Sequence, residues 1–333
     1  MCDRFGPPVD FEAMRSGFKP GRRGMLRATA ASALTIAVGP GLMGHAHAQG
    51  ATLKATHGTG FCNLNFFLAH ALQLARQDGT EIQFINTPTS AEMVTFLGMG
   101  QVDLGLMPYT SFMALFNAGA PVKVIAGGGV EGCSIVARPG LDSAEKLRGK
   151  TLGTVQLDTL EVLPYDYLKK HGISMRDVTV RYMGNTPEAV EAFKAGALDW
   201  ICTIEPYATA LINDVPGAVR LSDGTDIYGP GYTDCVLATR ASLIQQNPQQ
   251  ALDRLVGDYY KTSMANAQLA MQKQPAVVDA RSQTDFILSR TDSLMEMGYI
   301  RNKPGRDAID WTLLEQVIAE NQDIYRQLRR KSA

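Results

Sequence analysis

The stretch GALDWICTIEPY at residues 196–207 repeats the plan of GQVDLGLMPY at residues 100–109. In both stretches a Gly is followed three residues later by an Asp, and an apolar run then ends in Pro-Tyr. Upstream of each copy the motif NTP, at 86–88 and at 185–187, separates a predicted strand from a predicted helix. Two similarly built α/β halves explain the repetition, and a chance echo of common turn chemistry is the alternative.

Around these two copies, short apolar runs alternate with amphipathic stretches along residues 51–128 and again along 151–223. Strands alternating with helices predict a mostly parallel sheet covered by helices on both faces. Two β-like runs, EGCSIVAR at 131–138 and YTDCVLATR at 232–240, bracket the second set and are interpreted as the paired connections between the halves. The residues after 240 are predicted to be helical.

The predicted fold class is therefore α/β, with two Rossmann-like lobes joined by two hinge strands. We assign residues 49–137 and 235–333 to lobe 1 and residues 138–234 to lobe 2. Open parallel sheets bind ligands at the carboxyl ends of their strands, so a groove is expected where these edges of the two lobes face each other.

Residues 1–48 have the three parts of an export signal: a basic segment GRRGMLR at 21–27, an apolar segment at 28–43 and the small residues AHA at 46–48. The pair Arg22-Arg23 favours the twin-arginine route. We expect cleavage after Ala48 and a periplasmic protein. A membrane anchor is not expected, because the apolar segment is shorter than the ~20 residues that a membrane-spanning helix needs.

The chain has 333 residues, of which 45% are hydrophobic and 20% charged, and its formal net charge is −1. These values indicate a globular protein, and the scattered Lys and Arg residues exclude a basic surface for nucleic acid. Beyond residue 48 the chain contains Cys62, Cys133, Cys202 and Cys235, whose wide spacing matches no zinc signature. Buried free thiols are expected and all three disulfide pairings stay open; no metal site and no cofactor are predicted.

Loops rich in amide, hydroxyl and aromatic groups lie at the predicted carboxyl ends of the strands, and such groups suit a small-molecule ligand. Several of them are also typical helix caps, which is the alternative role for each. The residues that we expect to bind a ligand are Thr59, Phe61, Asn63, Asn65, Thr87, Ser90, Tyr109, Thr110, Glu131, Asp158, Thr159, Asn185, Glu205, Tyr207, Tyr232 and Asp234.

Four stretches carry a resemblance to a known family: SAEMVTFLGMGQVDLGLMPY (90–109), DSAEKLRGKTLGT (142–154), AVEAFKAGALDWICTIEPYATAL (189–211) and GYTDCVLATRASLIQQNP (231–248). In this order they resemble periplasmic substrate-binding proteins of ABC importers for nitrate, aliphatic sulfonates, taurine and thiamine pyrimidine precursors. The resemblance covers about residues 50–250. It implies a type II periplasmic-binding-protein fold that closes on its ligand at a hinge and delivers it to permease and ATPase subunits, with membrane contact only through the permease.

Two alternatives share this fold by resemblance: an enzyme that synthesises a pyrimidine precursor, and the receptor of a tripartite transporter. The enzymes resemble a Cys-rich, iron-dependent pattern, whereas EGCSIVAR contains one Cys, and no GxSxG, HExxH or P-loop motif occurs. No catalytic residues and no enzymatic activity are therefore predicted. The phrase EPYATAL at 205–211 argues against the tripartite receptor.

The predicted loops favour a particular class of ligand. None of them contributes an Arg, the residue suited to bidentate contact with an oxyanion. They do contain four carboxylates, which favour a neutral or amine-bearing ligand such as a nitrogen heterocycle. These carboxylates belong to Glu131, Asp158, Glu205 and Asp234.

Overall fold

A computed structural model describes residues 52–64, 66, 81–87, 89–246, 279–320, 322 and 325–326. The described residues between 50 and 314 form one compact unit. The expected export signal, most of the helix predicted at 63–77 and the helical residues predicted at 247–278 lie outside the described residues.

Ten strands occur in the described ranges and form two five-stranded sheets. The first sheet has the order β2-β1-β3-β10-β4, and the second has the order β7-β6-β8-β5-β9. The strands are β1 Thr52–His57, β2 Glu81–Phe84, β3 Leu104–Pro108, β4 Val122–Gly127, β5 Cys133–Ala137, β6 Thr151–Thr154, β7 Thr179–Tyr182, β8 Trp200–Ile204, β9 Val219–Ser222 and β10 Cys235–Arg240.

Helices flank both sheets, as the alternating pattern predicts. The α-helices of the described ranges are α1 Ser90–Gly98, α2 Tyr109–Asn117, α3 Thr159–Lys170, α4 Thr186–Lys194, α5 Tyr207–Asp214, α6 Thr225–Tyr228, α7 Ala241–Gln246, α8 Thr284–Ser289, α9 Thr291–Glu296 and α10 Thr312–Glu320.

Each sheet contains one antiparallel strand, which makes it mixed rather than wholly parallel. In the first sheet β10 runs antiparallel to both β3 and β4, and in the second β5 runs antiparallel to both β8 and β9. The cause is the connection: a chain that leaves the carboxyl edge of one sheet and enters the same edge of the other must run against the remaining strands. The strand β5 lies wholly in the second sheet, so the connection ends before Cys133, ahead of the expected boundary at 137/138.

The two connecting segments, 128–132 and 231–234, lie side by side. Val130 and Thr233 form an antiparallel bridge, and the backbone N–H of Glu131 donates to the carbonyl of Tyr232 at 2.8 Å. The predicted pair of connections is present, but it is shorter than expected: most of the predicted runs 131–138 and 232–240 lies inside the sheets as β5 and β10.

Side chains alternate between the two faces of each sheet, as strand geometry requires. On β10, Leu237 packs in the apolar cluster on one face of the first sheet, and Val236 and Ala238 pack in the cluster on the other. On β8, Trp200 and Ile201 divide between the two faces of the second sheet in the same way. Each sheet therefore sits between two apolar layers that the helices cover.

The glycines of the two echoed stretches end equivalent helices. Gly100 follows α1 with φ +73° and Gly196 follows α4 with φ +86°, the left-handed conformation in which glycine carries no side-chain penalty. Each thereby turns the chain from a helix into the next strand of its sheet.

The aspartates of the echo also have equivalent roles. The Asp103 carboxylate accepts the backbone N–H of Lys54 in β1 at 2.9 Å, and the Asp199 carboxylate accepts the N–H of Thr151 in β6 at 2.8 Å. Each links the turn before a central strand, β3 or β8, to the neighbouring parallel strand, β1 or β6. The repeat is therefore structural, and the two-lobed explanation of it is confirmed.

No helix among the described residues is both long enough and apolar enough to cross a membrane.

Candidate functional site

A cavity of about 230 Å³ lies at the carboxyl edges of both sheets, beside the connecting segments. Loops from both halves form its wall, so the groove predicted from the strand alternation is present. Its lining residues are His57, Gly58, Thr59, Gly60, Cys62, Asn63, Asn86, Thr87, Thr89, Ser90, Met93, Leu106, Pro108, Asp158, Leu160, Asn185, Thr186, Pro187, Ile204, Asp234 and Cys235.

Two buried carboxylates face this cavity. Asp158 precedes α3 in the second half, and Asp234 ends the second connecting segment. Burial, together with the nearby charge of Asp234, raises the pKa of Asp158 from 3.8 to about 7. Burial also raises the pKa of Asp234, although the Thr159 hydroxyl donates to its carboxylate at 2.6 Å. A positively charged group in the cavity would relieve both costs.

Three helices begin at the cavity, and each already has a cap. Thr89 forms a capping box with Glu92 at α1, Asp158 accepts the N–H of Leu160 at α3, and Asn185 accepts the N–H of Glu188 at α4. A helix N-terminus carries about half a positive charge, whereas each ionised carboxylate carries a full negative one. Two ionised carboxylates therefore outweigh the three helix N-termini, whereas protonation of either one reverses that balance.

Asn63 lines the cavity and has a buried amide oxygen. Its side chain is 1% exposed, and its amide nitrogen donates to the carbonyl of Gly60 at 3.0 Å, which fixes the orientation of the amide. The amide oxygen has no hydrogen-bond partner among the described residues. A ligand N–H at this position would satisfy an atom whose isolation costs about 1–3 kcal/mol.

The wall also contains the His57 imidazole and the thiols of Cys62 and Cys235. Burial lowers the pKa of His57, and its Nδ1 lies 2.7 Å from the carbonyl of Gly58. The ring is therefore neutral at pH 7. Among the described lining residues there is no Lys or Arg, so the carboxylates are not balanced by a cationic side chain of the wall.

Hydrogen bonds join the two halves around the cavity. The hydroxyls of Thr110 and Ser111 donate to the carbonyl of Leu157 at 3.0 and 2.7 Å, and the N–H of Phe61 donates to the carbonyl of Glu205 at 2.8 Å. Leu157 has φ +60°, a conformation that costs a non-glycine residue roughly 1–2 kcal/mol. This strained residue directs its carbonyl to the other half and places Asp158 at the cavity.

The structure brings seven of the expected ligand-binding residues to the cavity wall. They come from the loops after β1, β2, β6 and β7 and from the second connecting segment. These residues are Thr59, Asn63, Thr87, Ser90, Asp158, Asn185 and Asp234.

The other expected residues do not line the cavity, and Asn65 lies outside the described residues. Tyr109 is buried against Phe286 in the apolar core of the first half. The Glu131 carboxylate accepts the N–H of Gly231 in the paired connections, and Glu205 is buried against Arg220. The structure likewise keeps Phe61, Thr110, Thr159, Tyr207 and Tyr232 off the cavity wall.

The expected positions of Tyr109 and Tyr207 differ from those in the structure, although Pro108 does line the cavity. In both copies the Tyr is the first residue of a helix, and its side chain packs with its own half: Tyr109 with the core of the first and Tyr207 with the clusters of the second. Tyr207 also makes a side-chain hydrogen bond to Thr59 and so reaches the cavity only indirectly.

Sequence reasoning missed the two cavity cysteines. Sγ of Cys62 and Sγ of Cys235 lie 3.0 Å apart, and both side chains line the cavity. With Asp234 they form a group of potential metal ligands whose donor atoms all lie within 4.8 Å of one another. No local motif signals this group, because Cys62 and Cys235 are 173 residues apart in the chain.

Comparison with known proteins identifies the family of this chain. Residues 58–272 match the family model described as the NMT1-like family. The chain belongs to the NMT1-like family. The matched range includes every strand from β2 to β10, and with them the connecting segments and most of the cavity wall.

A relative from Brucella abortus (strain 2308), named "Putative binding protein", is 27% identical over 176 residues, which are 52% of this chain and 52% of that protein. The chain therefore matches about half the length of the curated relatives.

Two solved structures have the same fold. The alkanesulfonate-binding protein SsuA from Xanthomonas axonopodis pv. citri, bound to MOPS, has a TM-score of 0.64 and 19% identity, and the match covers 80% of this chain and 100% of that one. The periplasmic aliphatic sulphonate binding protein SsuA from Escherichia coli has a TM-score of 0.59 and 18% identity, with 76% and 89% covered. The NMT1-like chain thus has the two-lobed α/β fold of periplasmic binding proteins.

Proposed function

We propose that this protein is a solute-binding protein that captures a small molecule between two lobes and delivers it to the permease and ATPase subunits of an ABC importer. The observation that carries the proposal is the cavity, whose wall combines loops from both sheets beside two paired connections. The family match and the fold of the solved binding proteins support the same function.

Closure at the connections would couple binding to delivery. The expected lobes are residues 49–137 with 235–333 (lobe 1) and residues 138–234 (lobe 2). Because β5 belongs to the second sheet, we propose that it moves with lobe 2. The hinge then comprises 128–132 and 231–234. A ligand that contacts both lobes favours the closed arrangement by its differential affinity for the two states.

The proposed location follows from the export signal at 1–48, with cleavage after Ala48 and transfer through the twin-arginine route. The periplasmic solved proteins of the same fold support this location.

The ligand that we propose is a small amine or another cation, in contrast to the sulfonates named for the two solved structures. Asp158 and Asp234 supply negative charge, and the Asn63 oxygen supplies an acceptor. Thr59, Thr87, Ser90 and Asn185 supply further hydrogen-bonding groups on the same wall. A ligand rich in N–H donors satisfies this set, whereas an oxyanion would meet two like charges.

A thermal-shift screen of the mature protein in EDTA tests the proposal, using amines, nitrogen heterocycles, sulfonates, nitrate and aromatic acids. A ligand at a hundredfold excess over its Kd adds about 2.7 kcal/mol to the free energy of unfolding. For an amine hit, Asp158→Asn should weaken binding about 10- to 100-fold, because a hydrogen bond to a charged group contributes about 1.5–3 kcal/mol. Asp142→Asn, at an exposed carboxylate paired with Lys146, is the matched control and should leave Kd unchanged.

Three results would count against the proposal. If sulfonates or nitrate bind and amines do not, the ligand class is wrong. If both variants weaken binding equally, the cavity is not the binding site. Chemical turnover of a hit would identify an enzyme on this fold.

A further inference from the structure

All four cysteines beyond residue 48 converge on one region of the fold. Cys62 follows β1, Cys133 begins β5, Cys202 lies within β8 and Cys235 begins β10. Each is buried, and all four belong to one apolar cluster. Because they come from separate elements of both halves, their convergence is a product of the tertiary fold.

Two of these thiols share a carboxylate. Sγ of Cys235 lies 3.0 Å from Sγ of Cys62 and 3.0 Å from Oδ2 of Asp234. One Zn²⁺ ion binds thiolate sulfur at about 2.3 Å and carboxylate oxygen at about 2.1 Å, so its ligand atoms lie roughly 3–4 Å apart. The three donor atoms fall within 4.8 Å of one another and can therefore reach one ion with small side-chain rotations.

Neighbouring groups orient these donors. The Thr159 hydroxyl donates to Oδ1 of Asp234 at 2.6 Å, which leaves Oδ2 directed at the thiols. The amide nitrogen of Asn63 lies 3.1 Å from Sγ of Cys62 and can donate to a thiolate there. Hydrogen bonds of this kind fix metal ligands in place and tune them.

We propose that Cys62, Cys235 and Asp234 bind one thiophilic metal ion of the Zn²⁺ class on the cavity wall. All three residues line the cavity. Two thiolates and one carboxylate are a donor set that soft and borderline cations prefer over Mg²⁺ or Ca²⁺. The inference is independent of the proposed function, because it concerns the metal alone and not the solute.

Metal binding at this site must displace protons. Burial raises the pKa of Cys62 to about 11 and that of Cys235 well above its ordinary value, so both are thiols without an ion. Each ligating thiol releases its proton to solvent when its S–metal bond forms. A divalent ion with two thiolates and one carboxylate has a net charge of −1, which preserves the attraction for a cationic solute.

The test is a metal titration of the reduced, EDTA-treated and desalted protein without solute. We expect one Zn²⁺ per chain with release of about two protons, and Co²⁺ should give a near-ultraviolet sulfur-to-cobalt charge-transfer band. Cys62→Ser and Cys235→Ser should each weaken Zn²⁺ binding at least tenfold and reduce that band. Cys202→Ser is the matched control, since Cys202 is equally buried in the same cluster but lies outside the ligand group.

Circular dichroism of each variant verifies its fold, and the cobalt spectrum of the unaltered protein needs no variant. Absence of stoichiometric Zn²⁺ uptake, or a cobalt complex without the sulfur band, would overturn the proposal. So would equal loss of binding in Cys202→Ser. A Cys62–Cys235 cross-linked peptide in protein exported and purified without reductant would also overturn it, because oxidation consumes both ligands.

Discussion

The two halves of the molecule share one strand order but bring different chemistry to the cavity. In the first half the loop after β1 contributes uncharged groups, including the neutral His57, Asn63 and the Cys62 thiol. In the second half the loop after β6 contributes the carboxylate of Asp158, held by the strained Leu157. The difference shows that topology sets where a site forms, whereas the loop sequences at that edge set what it recognises.

A second comparison concerns the echoed aspartates. Both accept an N–H from the neighbouring parallel strand, β1 or β6, yet Asp103 also pairs with Arg240 at 2.5 Å. At the equivalent place in the second half, the Arg138 side chain donates to the carbonyl of Leu198 rather than to the Asp199 carboxylate. We therefore expect the two aspartates to contribute unequally to the free energy of unfolding.

We expect the largest effect on stability from Asp158→Asn, which removes the carboxylate that the second half contributes to the cavity. The measurement is made in EDTA and without ligand. The folded-state pKa of about 7 exceeds the ordinary 3.8. The folded state therefore binds the proton more tightly, and the stability contributed by this group is lost as pH rises from about 4 to about 7. Asn lacks this titration and keeps the cap, so the free energy of unfolding of the variant relative to the unaltered protein should rise by about 2–4 kcal/mol between pH 4 and pH 8.

Urea unfolding at several pH values measures this difference, and Asp142→Asn serves as the exposed control. A relative stability of Asp158→Asn that does not change with pH would mean that Asp158 is ionised normally, and the contrast between the two halves would lose its electrostatic basis.

The second effect separates the echoed aspartates by stability. Asp103→Ala should lower the free energy of unfolding by about 2–3 kcal/mol, because it removes a backbone tether and leaves Arg240 without its carboxylate. Nε of Arg240 is already buried without a hydrogen-bond partner among the described residues. Asp199→Ala removes the tether to Thr151 and should cost about 1 kcal/mol. Urea unfolding compares the two variants directly, and equal losses would show that the Arg240 pair adds nothing.

The smallest effect tests the contact between the halves. Ser111→Ala removes one of two hydroxyls that donate to Leu157 across the cavity, a bond expected to contribute about 0.5–1.5 kcal/mol. Because Ser111 does not line the cavity, its loss should act through closure and weaken ligand affinity about two- to tenfold. Isothermal titration calorimetry with a ligand from the screen measures it. Ser289→Ala, whose hydroxyl donates within its own turn, should leave Kd unchanged; unchanged affinity in both would exclude a role for this contact.

Much of the fold could be predicted because its signals are local. Gly100 and Gly196 mark where helices end, and alternating apolar runs mark the strands. Two similar runs that bracket the second half predicted that the halves have two connections, although most of each run belongs to a sheet strand, β5 or β10. What local signals missed was the sheet to which β5 belongs, since hydrogen-bond partners on distant strands decide that membership.

The candidate site was predictable by loop rather than by residue. The loops after β1, β2, β6 and β7 all reach the cavity, as strand polarity requires. At the first turns of the helices that follow β6 and β3, Thr159 points at Asp234 and Tyr109 at the core, because helix rotation and packing select which side chain faces the cavity. Composition cannot specify that rotation.

By itself the sequence determined the duplicated α/β plan, the edge at which a site forms and the absence of Arg from the predicted loops, because periodicity, turn residues and composition are encoded locally. Only the tertiary structure decided that Asp158 and Asp234 share one desolvated cavity and that Cys62 and Cys235 meet there. The physical reason is range: desolvation, carboxylate repulsion and metal-ligand distances arise between atoms brought together by folding, and spacing along the chain does not report them.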